Sequence, residues 1–140
     1  MSYRVSQIES LDFGVRWLSP ERSKNAYAFA LSYTHSKRYG LNETTVEDIQ
    51  RLEISDYRCA KRWLAERVFA EGTVQIVYGD EVCVVDSEKF IEYWDQIFVP
   101  ARDDAIVLHN LNSQVLFYCH EEELEFGYRV SPIMQSTRTR

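Results

Sequence analysis

The chain has 140 residues, 45% of them hydrophobic and 14% aromatic, and carries a formal net charge of −6. That is enough for one domain with its own core, and only five Gly and three Pro argue against disorder. The acidic balance disfavours nucleic acid as a partner, and no apolar run approaches the roughly 20 residues that a bilayer span needs.

Met1 to Leu18 mixes charge and polarity without the apolar stretch of a signal peptide. Cys59, Cys83 and Cys119 are odd in number and lack any C-x-x-C spacing, which fits reduced thiols in a soluble cytoplasmic protein. Phe13, Val15 and Trp17 alternate and suggest a short strand. Ser19 as a cap, Pro20 at the first helical position and Gly40 as a stop predict a long first helix. Its apolar stripe is Tyr27, Ala30 and Leu31, widened by Ala26, Phe29 and Tyr33. Thr44-Thr45-Val46-Glu47 fits a capping box and predicts a second helix through Ile49 and Leu52. A third helix is expected from Ser55 or Asp56 to Gly72, burying Ala60, Trp63, Leu64 and Val68.

The pattern then changes. Thr73 to Tyr78 and Glu81 to Val85 are β-branched or aromatic runs joined at Gly79-Asp80, a two-residue hairpin signal. Asp86 or Ser87 caps a fourth helix whose Phe90, Ile91, Trp94, Ile97 and Phe98 share one face, and Pro100 closes it. Strands follow over 104–109, 114–119 and 124–130. On the last, Leu124, Phe126 and Tyr128 alternate with Glu123, Glu125 and Arg129, as on a half-exposed strand. The expected fold is α+β: N-terminal helices, a β-hairpin, one helix and a C-terminal three-stranded antiparallel meander forming one sheet. It is read as a single domain over 1–135, with a frayed tail at 136–140.

Charge is unevenly spread. Asp80 to Tyr128 holds twelve acidic and two basic residues, while the rest of the chain is slightly basic. Such asymmetry favours a cationic partner. If 104–109 and 114–119 form a hairpin, Leu108 faces Val115, Ile106 faces Phe117, and Asp103 faces His120 at its end. Asp103, His120 and Arg102 are then the strongest candidates for chemistry, because a carboxylate beside an imidazole raises its pKa and fixes its tautomer. His109 sits at the opposite end of the same hairpin, about 16 Å from His120, so the two cannot share an ion. One histidine with carboxylates could hold a weak divalent ion, but Glu121-Glu122-Glu123 fits no EF-hand or H-E-x-x-H pattern. Strand alternation sends Cys119 and His120 to opposite faces, so Cys119 reads as core. His35, late in the first helix, reads as structural. No cofactor motif is present.

The stretch Tyr93-Trp94, Phe98, Pro100, Arg102-Asp103-Asp104, Ile106-Val107-Leu108, then Leu116 to Glu122 and Phe126-Gly127, resembles the C-terminal part of small bacterial proteins. Some of these are similar to immunity proteins that sit beside secreted toxins. The resemblance covers about a quarter of the chain. It implies a non-enzymatic protein that neutralises a toxin, and it carries no catalytic residues. The leading expectation is an acidic surface that docks on a basic protein partner. Its contact residues would be Asp103, Asp104, Glu121, Glu122, Glu123 and Glu125, beside His120, with Tyr118 and Tyr128 as aromatic anchors. The alternative is a small enzyme or ligand-binding domain using Asp103, His120 and Arg102.

Overall fold

The structure, a computed structural model, describes residues 2–130; the end of the expected domain and its tail lie outside them. Four helices and a seven-stranded antiparallel sheet alternate along the chain: α1 Tyr3–Glu9, β1 Arg16–Trp17, α2 Pro20–Leu31, β2 Val46–Glu53, α3 Tyr57–Arg67, β3 Thr73–Val77, β4 Val82–Asp86, α4 Ser87–Ile97, β5 Ala105–His109, β6 Gln114–Cys119 and β7 Glu123–Arg129. The fold is α+β, as expected, but the sheet is larger than hairpin plus meander. Its strand order is β1-β4-β3-β5-β6-β7-β2, so hairpin and meander fuse through β3 and β5, and β2 extends the far edge. No helix among the described residues is long and apolar enough to cross a membrane.

Two apolar layers cover the sheet, one on each face. On one side Ile8 of α1, Ala60 and Leu64 of α3, and Phe90, Trp94 and Ile97 of α4 pack on Val74, Ile76, Val107, Leu116, Tyr118, Leu124 and Phe126. On the other side Ala30, Tyr33 and Leu41 meet Val77, Val82, Ile106, Leu108, Val115, Phe117 and Cys119. The central strands are therefore apolar on both faces, because each face is buried. Burial of these side chains, at about 1.5–3 kcal/mol for each large one, is the main force holding the layers together.

Three helix expectations need correction. The first helix ends at Leu31, not Gly40; Ser32 caps it and the chain turns back through a Thr34–Leu41 bridge. Its Tyr27, Phe29 and Leu31 stay exposed, and Ala30 alone of the stripe is fully buried. The third helix stops at Arg67, where Val68 turns extended and its N–H bonds back to Leu64. Residues 46–53 are a strand. Val46, Ile49 and Leu52 repeat every three residues, which imitates a helix, but a bulge between Glu47 and Gln50 produces the same spacing. Asp48 sits there at φ 56°, and one extra residue switches the face that later side chains address. Thr44, the cap residue of the expected capping box, donates its hydroxyl to Asn42 Oδ1 at 2.8 Å instead.

The short helix α1 was not anticipated. Ser2 caps it by accepting from the Val5 N–H, and Ile8 buries into the core. What ties it down lies far along the chain: Arg4 reaches Glu81 and Asp103, and Gln7 donates to the Gln96 carbonyl.

Candidate functional site

The β5–β6 ladder has the expected register, with Leu108 opposite Val115, Ile106 opposite Phe117, and Ala105 opposite Tyr118. Regular pairing ends there. Beyond it the backbone N–H of Ala101 bonds to the His120 carbonyl, so residues 101–103 no longer run as a strand. The expected Asp103–His120 pair is therefore corrected to Asp104–His120. Asp104 Oδ1 lies 2.9 Å from His120 Nδ1 and also accepts the His120 backbone N–H at 2.8 Å. That hydrogen bond raises the imidazole pKa above its ordinary value.

Asp103 points the other way and is wholly buried. Arg102 donates to both its oxygens, from Nε at 2.8 Å and Nη2 at 2.9 Å, and Arg4 Nη2 adds a third bond at 3.1 Å. The Val99 N–H completes the set at 2.8 Å. Burial alone would raise this carboxyl, but the bonds from Arg102, Val99 and Arg4 outweigh it and hold the pKa below the ordinary value. Arg4 also grips Glu81 at 2.5 Å and lies over the Tyr78 ring, 4.5 Å from its centroid. Its Nε is buried with no hydrogen-bond partner among the described residues.

The remaining acidic candidates separate. Glu125, expected on a solvent face, is 6% exposed. It accepts the Leu41 N–H at 2.8 Å and pairs with Arg38 at 3.1 Å, because the 32–45 segment covers that part of β7. Gly40 permits this approach, since a Cβ there would sit 2.9 Å from both Glu125 carboxylate oxygens. Glu123 pairs with Arg51 on β2. Tyr118 is 1% exposed and stacks on Phe98 in the core, so it offers no surface to a partner. Tyr128 is half-buried against Phe126. Glu121 is exposed, and Glu122, at φ 61° in the β6–β7 turn, accepts from the Tyr57 hydroxyl at 3.2 Å. The acidic segment thus meets the basic remainder inside the fold, through Arg4, Arg38 and Arg51.

At this same end of the sheet a cleft of about 630 Å³ opens between α2 with its 32–40 loop and the ends of β3, β5 and β6. Arg4, Arg102 and Asp104 line it, as do Tyr27, Leu31, His35, Lys37 and Tyr39 from α2 and its loop. Val77, Ile106 and Phe117 are also part of the lining. The volume lies in the range of small-ligand sites. Tyr39 is 58% exposed and sets its ring edge-on to His120, with centroids 4.9 Å apart. Of the sequence candidates, Arg102 and Asp104 line this cleft, and His120 adjoins it through Tyr39 and Asp104. Arg4, Lys37, Tyr27, Leu31 and Tyr39 were missed. The apolar stripe of α2 carries the signal for Tyr27 and Leu31, but the same pattern marks a core-facing helix.

Cys119 is buried in the second apolar layer, as expected of a core residue. It lies on the Ile106 and Phe117 face, yet its sulfur, a His120 ring nitrogen and an Asp104 oxygen all fall within 4.8 Å of one another, because the chain leaves its ladder at residue 120. Burial pushes the Cys119 thiol pKa up, and it pushes that of Cys83 to about 12. Comparison with known proteins returns no matching family model, no matching curated protein and no matching solved structure.

Proposed function

We propose that the protein is a binding module whose site is the cleft between the 32–40 loop and the sheet, and that it takes a small anionic ligand bearing an apolar group. One observation carries this reading: Asp103 is fully buried while the two arginines it anchors, Arg4 and Arg102, are 21% and 31% exposed and line the cleft. The buried carboxylate fixes both guanidinium groups at the lining, where Lys37 adds a third positive charge and Asp104 a negative one. Arginines fixed in this way lose little freedom on binding an anion, which favours affinity. Tyr27, Leu31 and Tyr39, 36%, 46% and 58% exposed, add apolar surface to the lining, which suits a ligand with an aromatic or aliphatic part.

The test uses an aromatic sulfonate dye, anilinonaphthalene sulfonate, as the probe. Native protein should bind it at one site. Lys37→Gln combined with Tyr39→Ala, both on the exposed loop, should weaken binding about tenfold without lowering the melting temperature, a loss of about 1.4 kcal/mol. Dye affinity unchanged in that variant would refute the reading.

A second reading, docking of an acidic face on a basic toxin-like protein, is supported by a smaller patch than the sequence suggested. Glu53 lies opposite Glu123, and Glu122 holds Tyr57, which is 43% exposed, beside exposed Glu121. Its test is association kinetics with the neighbouring gene's product across a salt series. Glu121→Lys with Glu122→Lys should slow association more than it speeds dissociation. Salt-independent association would discard it.

A further inference from the structure

Three donors of different chemistry meet where β6 enters its turn. The Asp104 carboxylate, Cys119 thiol and His120 imidazole each place one ligand atom within 4.8 Å of the other two. The cluster is built from two segments. Asp104 precedes β5, Cys119 ends β6, and Asp104 holds the His120 backbone at 2.8 Å while its oxygen lies 2.9 Å from the ring nitrogen. The Tyr39 ring, edge-on to His120, fixes the imidazole from the cleft side. A second set shares the same sulfur: Cys119, Glu121 and Glu123 also lie within 4.8 Å of one another. Three carboxylates thus approach one thiol, and among the described residues Arg51, on Glu123, is the one permanent cation paired with any of them.

We propose that Asp104, Cys119 and His120 form a binding site for a borderline-soft divalent cation of the zinc class. The donor chemistry selects the ion. Calcium and magnesium take oxygen ligands, whereas a thiolate with an imidazole and a carboxylate suits zinc or cobalt. The three donor atoms are close enough to converge on metal bonds of about 2.0–2.3 Å after small rotamer changes. Three protein donors would leave a fourth position of a tetrahedral ion for water or another ligand, and Asp104 also belongs to the lining of the cleft. The site stands on its own donors and does not require that the cleft take an anion.

The experiment is a titration of the reduced full chain with cobalt(II), followed by absorbance. One equivalent should bind and give a near-ultraviolet thiolate-to-cobalt charge-transfer band, which excess zinc removes. Cys119→Ser should abolish the band, and Cys59→Ser, at the exposed cysteine, should keep it. His120→Ala and Asp104→Asn, both part-exposed positions, should each weaken cobalt affinity at least about tenfold, since even outer-shell changes cost 10–100-fold at metal sites. Circular dichroism establishes that each variant is folded. If Cys119→Ser fails to fold, the two part-exposed variants decide. Absence of the band with stoichiometric cobalt, its survival in folded Cys119→Ser, or unchanged affinity in both His120→Ala and Asp104→Asn would overturn the proposal.

Discussion

Replacing Asp103 with Asn tests the charge layer behind the cleft. The carboxylate is 0% exposed and accepts four hydrogen bonds: two from Arg102, one from Arg4 and one from the Val99 N–H. Removing one member of a buried ion pair generally costs 3–5 kcal/mol, because the charges left behind are uncompensated. Here both arginines reach partly into water and can recover some hydration, so the expected loss is at the low end, about 3 kcal/mol. Urea melts at neutral pH, with chelator present, measure it. The pH dependence supplies the sign. The folded-state pKa of Asp103 is depressed, so its contribution is complete above the unfolded value of about 3.9 and is lost as pH falls through the folded value. The stability gap between wild type and Asp103→Asn should be flat from pH 8 to about 5 and narrow below about 4. A gap under about 1 kcal/mol at neutral pH, or one that stays constant into acid while both proteins remain folded, would refute the assignment of Asp103 as the anchor of the two arginines.

Two stability predictions follow from packing. Trp94 is 2% exposed between α4 and the sheet, and Trp94→Ala should cost about 3–5 kcal/mol in denaturant melts. A loss under about 1 kcal/mol would place α4 outside the core. Gly127 has Val46 Cγ1 at 2.5 Å and the Glu47 carbonyl at 2.8 Å from where a Cβ would stand, so Gly127→Ala must push β2 away from β7. It should destabilise by about 1–3 kcal/mol and speed amide exchange along β2 more than along β5. Equal exchange in both strands would contradict the β2–β7 pairing.

Strands 73–77, 82–86, 105–109, 114–119 and 123–129, the fourth helix and the β5–β6 register were legible in the sequence, since turn signals bracketed them and burial enforced their pattern. The site was legible only to within one residue. Opposed positions follow the hairpin count only while the chain stays extended, and the regular ladder ends at Ala105 and Tyr118, before Asp103. The chain instead turns tightly at Ala101, which stands at φ 65°, with the Arg102 and Asp103 N–H groups both bonding to the Val99 carbonyl, and Asp104 takes the position beside His120. The identity of β2 was hidden because a bulged strand and a helix can share an apolar spacing of three. Arg4 was hidden because its partners lie 77 and 99 positions away, a separation that no local pattern encodes.

The two outermost strands bear on how this sheet meets other chains. One edge, β1, is two residues long, so it offers little backbone for another strand to read. The other edge, β2, is long enough to be a template, but the Asp48 kink breaks its line, and Glu47, Asp48, Arg51 and Glu53 charge it throughout. Irregular, charged borders of this kind discourage a foreign strand from joining the ladder and so guard against open-ended stacking of copies. The same borders disfavour strand addition as a route for a protein partner and leave the helix layer and the strand ends as the more accessible surfaces.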